Sequence, residues 1–177
     1  TIDATGTVRF DGVASVDGDV DIDTDGLDLN DTLTTTGTGT VTVSNSGTAD
    51  LGAKITAAGN VLFDGSGPIT LGADIQTTAS GSSISVNSSA VTLTGDRQLQ
   101  TNDGNISLDE VLTGTADDHV LTLSAGSGHV VVDDNVGEEG TELAGLTITA
   151  ANVTSSGATA TLDVNTLTID ATGTVRF

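Results

Sequence analysis

The fold predicted for this chain is all-β: a parallel β-helix, or β-solenoid, of about seven to eight coils of roughly 20–24 residues each. Three observations predict it. A short pentapeptide pattern recurs along the whole chain. Between its copies lie runs of three to five residues that alternate apolar and polar, bounded by Gly, Asn, Asp and Ser, as short strands between tight turns do. No segment carries a convincing helix: the most helix-like stretch, Glu138 to Ala144, is short and has glycine at its margins.

The pentapeptide is small, polar, β-branched, variable, apolar. It begins at Gly6, Gly18, Gly39, Gly59, Ser82, Gly104, Gly128, Ala151 and Gly173, in steps of 12, 21, 20, 23, 22, 24, 23 and 22 residues. In a strand, alternate side chains share a face. The third and fifth positions therefore point inward: Val41, Val61, Ile84, Ile106 and Val130 belong to the core. The second position points outward, placing Thr40, Asn60, Ser83, Asn105 and His129 at the surface. Phe10, Phe63 and Phe177 all fall in the fifth position and read as stacked core residues. The 12-residue step is anomalous, and treating the Gly18 pentapeptide as an inserted lateral strand would make the acidic segment there a protrusion from the rod. An antiparallel β-sandwich is the competing architecture. It predicts hairpin spacings of about 8–12 residues and no pentapeptide column recurring every 22 or so.

Further strands follow from the same alternation at Ile69–Leu71, Val91–Leu93, Val120–Leu123, Leu146–Ile148 and Leu167–Ile169. Above this short period stands a long one. The first ten residues, TIDATGTVRF, return unchanged as Thr168–Phe177. Residues 1–167 are accordingly read as one period of a tandem β-helical array and residues 168–177 as the start of the next.

Composition limits the function. The 177 residues carry 25 acidic and 4 basic side chains, for a formal charge of −21, which opposes binding to nucleic acid or to an anionic membrane surface. No apolar run reaches the roughly 18 residues of a membrane helix, so membrane insertion is not expected. The absence of cysteine excludes disulfides and thiolate metal sites.

The sharpest local feature is Asp17, Asp19, Asp21, Asp23 and Asp25, followed by Gly26, Asp28 and Asp31. Alternate aspartates in a strand share a face, and calcium favours clustered carboxylate oxygens. The five are candidate ligands for calcium or another divalent cation, with a solvated acidic face as the alternative. Asp21-x-Asp23-x-Asp25-Gly26 matches the opening of an EF-hand loop, but Thr32 stands where the bidentate glutamate is required. The pairs Asp117–Asp118, Asp133–Asp134 and Glu138–Glu139 are the candidate acid–base couples for polysaccharide cleavage. Adjacent strand residues face opposite ways, and basic residues for an acidic sugar are scarce, so no enzyme activity is expected. Asn30, Asn87, Asn105 and Asn152 begin glycosylation sequons that a Ser- and Thr-rich chain produces by composition alone.

The stretches Gly104-Asn105-Ile106-Ser107-Leu108, Leu121–Val132 and Leu146–Val153 resemble repeats of filamentous-haemagglutinin-type surface proteins. The resemblance implies a right-handed β-helical stalk in a very large secreted or cell-surface bacterial protein. The expected function is thus a structural segment of an extracellular fibre or stalk whose partners are copies of itself, joined along the helix axis. A ligand-binding, calcium-dependent adhesin module is the alternative.

Overall fold

In the computed structural model, residues 1–109, 111–116, 118–138, 140–155 and 161–177 are described. Among them there is no helix, and the strands stack in parallel as a β-solenoid of about eight turns. Each turn visits three stacks before returning one layer on. The parallel ladders rule out the hairpin sandwich.

The first stack is built from the pentapeptides. Its aligned residues are Val20, Val41, Val61, Ile84, Ile106, Val130, Val153 and Val175. The second stack aligns Leu27, Ala49, Ile69, Val91 and Leu112, then thins to isolated bridges through Val136 and Leu162. The strand Val20–Leu29 runs through both stacks and joins them into a 13-stranded sheet. Its alternation breaks at Gly26 and Leu27, consecutive buried residues that mark the corner. The third stack is an eight-stranded sheet aligning Ala14, Leu33, Ile55, Ile75, Leu99, Leu123, Ile148 and Ile169.

The predicted facing is correct. Val41, Val61, Ile84, Ile106 and Val130 are at most 1% exposed, while Asn60, Asn105 and His129 are exposed and Thr40 and Ser83 half-exposed. A one-residue slip would have reversed every one of these. The recurring glycine at the head of the pentapeptide has a packing cause. A Cβ there would overlap the carbonyl oxygen one coil earlier, that of Gly18 for Gly39, Ser82 for Gly104 and Gly104 for Gly128.

Threonine solves a second corner problem. At the end of the third stack Thr35, Thr77 and Thr101 point inward and are buried. Their hydroxyls donate to the carbonyls of Gly39 (2.6 Å), Ser82 (2.8 Å) and Gly104 (2.7 Å), so the turning backbone is satisfied without water.

Two expectations need correction. Of the three phenylalanines only Phe63 is a fully buried core residue; Phe10 is half-buried and Phe177 is 57% exposed. Coils at the ends have a neighbour on one side only. Nor is the Gly18 pentapeptide an insertion. It lies in the first stack, and the misplaced one is at Gly6, where Thr7–Phe10 pair with Gly26–Leu29 of the second stack. Ile2–Ala4 instead occupy the first stack opposite Ile22–Thr24. The opening coil therefore takes 20 residues, from Ile2 to Ile22, and nothing projects from the rod there.

Candidate functional site

The acidic row spans two faces. Asp17 ends the third-stack strand Ala14–Asp17, Asp19 sits in the turn that follows, and Asp21, Asp23 and Asp25 line the outer face of Val20–Leu29. All five are exposed. Alternate residues along a strand are about 6.5–7 Å apart, which spreads the last three in a line rather than around a point. Among the described residues no three carboxylate or imidazole groups come together as a metal cage.

Several of these carboxylates hydrogen-bond to the next coil. Asp17 Oδ1 accepts from the Thr36 hydroxyl (3.1 Å), and Asp25 Oδ1 from the Ser46 hydroxyl (3.1 Å). Asp19 Oδ1 accepts from both the backbone N–H and the hydroxyl of Thr40 (2.9 Å each). These two bonds, the backbone one foremost, hold the Asp19 carboxyl below its ordinary pKa. Asp28 lies 3.5 Å from Arg9, and Asp31 accepts from the Thr32 N–H at 2.7 Å. Like charges meet across neighbouring strands at two places among the described residues: Asp3 stacks opposite Asp23, and Asp28 opposite Asp50.

The outward second position of the pentapeptide forms a ladder that alternation alone did not reveal. Asn60 Oδ1 accepts the Ser83 N–H, Ser83 Oγ the Asn105 N–H, and Asn105 Oδ1 the His129 N–H, at 2.9–3.1 Å. Asn152 Nδ2 donates to His129 Nδ1 (2.8 Å), and Asn152 Oδ1 accepts the Thr174 N–H (2.7 Å). The recurrence of Asn and Ser at one coil position was the available signal. Among the sequon asparagines, Asn105 and Asn152 are thus working members of this ladder.

His119 has a different setting. Its Nε2 lies 2.9 Å from the Thr115 hydroxyl and its Nδ1 3.0 Å from Asp118, the connectivity of a hydroxyl–imidazole–carboxylate relay. The N–H groups beside that hydroxyl are already committed: Thr115 donates to Leu93 and Gly114 to Thr141. The Asp118 side chain is 82% exposed. Asp117 and Glu139, from the paired carboxylates, lie outside the described residues.

The ends of the rod are unlike its flanks. The exposed large hydrophobic residues among those described are Ile2, Val13, Leu167, Val175 and Phe177, every one in a terminal coil. The class of protein this geometry defines is the parallel β-solenoid. Compared with family models, curated proteins and solved structures, the chain matches none of them.

Proposed function

We propose that this chain is a structural repeat segment of an extracellular or cell-surface fibre or stalk, of the filamentous-haemagglutinin kind, extended along the solenoid axis by end-to-end joining with copies of itself. The observation that carries the reading is the confinement of the exposed large hydrophobic residues Ile2, Val13, Leu167, Val175 and Phe177 to the end coils. Apolar surface gathered at the two ends favours stacking along the axis. Flanks rich in carboxylate within a chain of net charge −21 oppose side-by-side clumping. Eight coils at about 4.8 Å each give a segment roughly 35–40 Å long, and its role is reach and stiffness rather than catalysis.

Light scattering and electron microscopy of the purified 177-residue chain test this. Elongated assemblies that grow with concentration are expected. A compact monomer at every concentration from micromolar to millimolar would overturn the reading.

A further inference from the structure

One ten-residue sequence occupies two different positions in the coil. In the N-terminal copy, Ile2–Ala4 lie in the first stack and Thr7–Phe10 in the second. In the C-terminal copy, Thr168–Ala171 lie in the third stack opposite Thr147–Ala150, and Val175–Arg176 lie in the first. The opening and closing placements differ by one side of the solenoid.

Both cannot hold at a junction where one period follows another. The first-stack residue of the closing placement is Val175, the copy of Val8, and the next first-stack valine would be the copy of Val20, 12 positions further on. Measured in the first stack, complete coils in this chain use 20–24 residues for three sides. Twelve residues supply two. One stack must therefore skip a strand at the junction, the third if the decapeptide takes the opening placement and the second if it takes the closing one.

The interactions favour the closing placement. It keeps the third-stack strand Leu167–Ala171, fully paired along its five residues, whereas the second stack has already thinned to single bridges at Val136 and Leu162. It sets the copy of the Gly6 pentapeptide on that of Gly18, so Arg176 comes opposite the aspartate equivalent to Asp21, and Val175 and Phe177 are covered by the equivalents of Val20 and Ile22. The opening placement would also set the arginine opposite a carboxylate, that of the Asp28 equivalent, but it would repeat the Asp3–Asp23 juxtaposition of like charges.

We propose that successive periods join in the closing placement: Ala14–Asp17 and Val20–Ile22 of the following period stack directly on Leu167–Ala171 and Val175–Phe177, and the second stack is interrupted by one strand at every junction. This rests on the fibre reading, and the two can fail separately.

The test is a two-period chain, residues 1–177 followed by residues 11–177, with paired cysteines on outward positions. The native chain has no cysteine, and neighbouring parallel strands bring Cα atoms within disulfide reach, about 4.4–6.8 Å. Arg176→Cys with Asp21→Cys in the second period should oxidise to near completion. Asp170→Cys with Asp23→Cys in the second period should not. As a control for the chemistry, Asp3→Cys with Asp23→Cys in the single 177-residue chain should close. Closure of the Asp170–Asp23 pair, alone or beside the other, or failure of the Arg176–Asp21 pair while the control closes, overturns the inference. Small-angle scattering of the same two-period chain tests the fibre reading: its long dimension should roughly double, and a folded-back or hinged pair of segments would overturn that reading whichever cysteines join.

Discussion

Thr1–Phe10 and Thr168–Phe177 are the same peptide in two environments, and the difference between them shows what places a strand in a solenoid. In the first copy Arg9 contacts Asp11 and approaches Asp28, Phe10 lies opposite Leu29, and Gly6 lies at a register shift between Ala4 and Thr7. In the second, Arg176 lies opposite Thr154, Phe177 is open to solvent, and the turn is held by Asn152. Local sequence determines that both copies form strands. Which stack each strand joins is determined by the coil beneath it, because short alternating runs of Val, Ile, Leu and Thr fit any of the three sides.

The largest effect that would sharpen this contrast concerns phenylalanines at the same pentapeptide position. Phe63 is fully buried between coils, so Phe63→Ala should remove about 3–5 kcal/mol of stability, the usual cost of emptying an aromatic site in a core. Phe177→Ala, at a side chain 57% exposed, should cost less than about 1 kcal/mol. Urea denaturation of both variants decides it. Equal losses would mean that the last coil is covered in the 177-residue chain itself.

A smaller effect, but one that changes sign, separates the two copies at a single glycine. A Cβ on Gly6 meets nothing within 4 Å, so Gly6→Ala should stabilise by about 0.4–1 kcal/mol through the unfolded chain. The same change at Gly173 would press against Asn152 Oδ1 at 2.5 Å and the Ala151 carbonyl at 2.9 Å, and should destabilise by roughly 1–2 kcal/mol. Melting curves with the same sign for both would contradict the two placements.

That glycine also shows how far the sequence could be read. The pentapeptide column was legible because inward valines, close-approach glycines and ladder asparagines are each selected by contact with the coil before, at a spacing set by one turn. The parallel architecture and the inward faces of Val41 through Val130 follow from that column. The opening coil was not legible. Gly6–Phe10 satisfies the pattern as well as any other copy, yet its residues Thr7–Phe10 pair with the second stack, because twelve residues are too few to visit all three sides before Val20. The acidic row was legible as an outward face, while the hydrogen bonds that tie Asp17, Asp19 and Asp25 to Thr36, Thr40 and Ser46 depend on coil-to-coil register. The relay-like contacts of His119 were hidden for a simpler reason: they form within an irregular loop that has no periodicity.

The smallest expected effect reads the two arginines through one carboxylate. Asp11 Oδ1 accepts from Arg9 Nε at 2.6 Å and from Asn30 Nδ2 at 3.1 Å, and these bonds, Arg9 first, hold its carboxyl below the ordinary aspartate pKa. A carboxylate lowered in the folded state contributes stability above its unfolded pKa and loses it as pH falls through the folded value. Asp11 should therefore remain ionised in mild acid where an unperturbed aspartate has begun to protonate. A carbon-detected NMR titration would show Arg9→Gln raising the Asp11 midpoint toward the ordinary value. Arg176→Gln, the same change in the same peptide 167 residues on, should leave Asp11 where it is. Asp19, lowered by Thr40 rather than by an arginine, should be unmoved in both variants. If Arg9→Gln left the Asp11 midpoint in place, Arg9 would not be held beside Asp11. If both arginines moved it, the C-terminal copy of another molecule would be occupying that same edge.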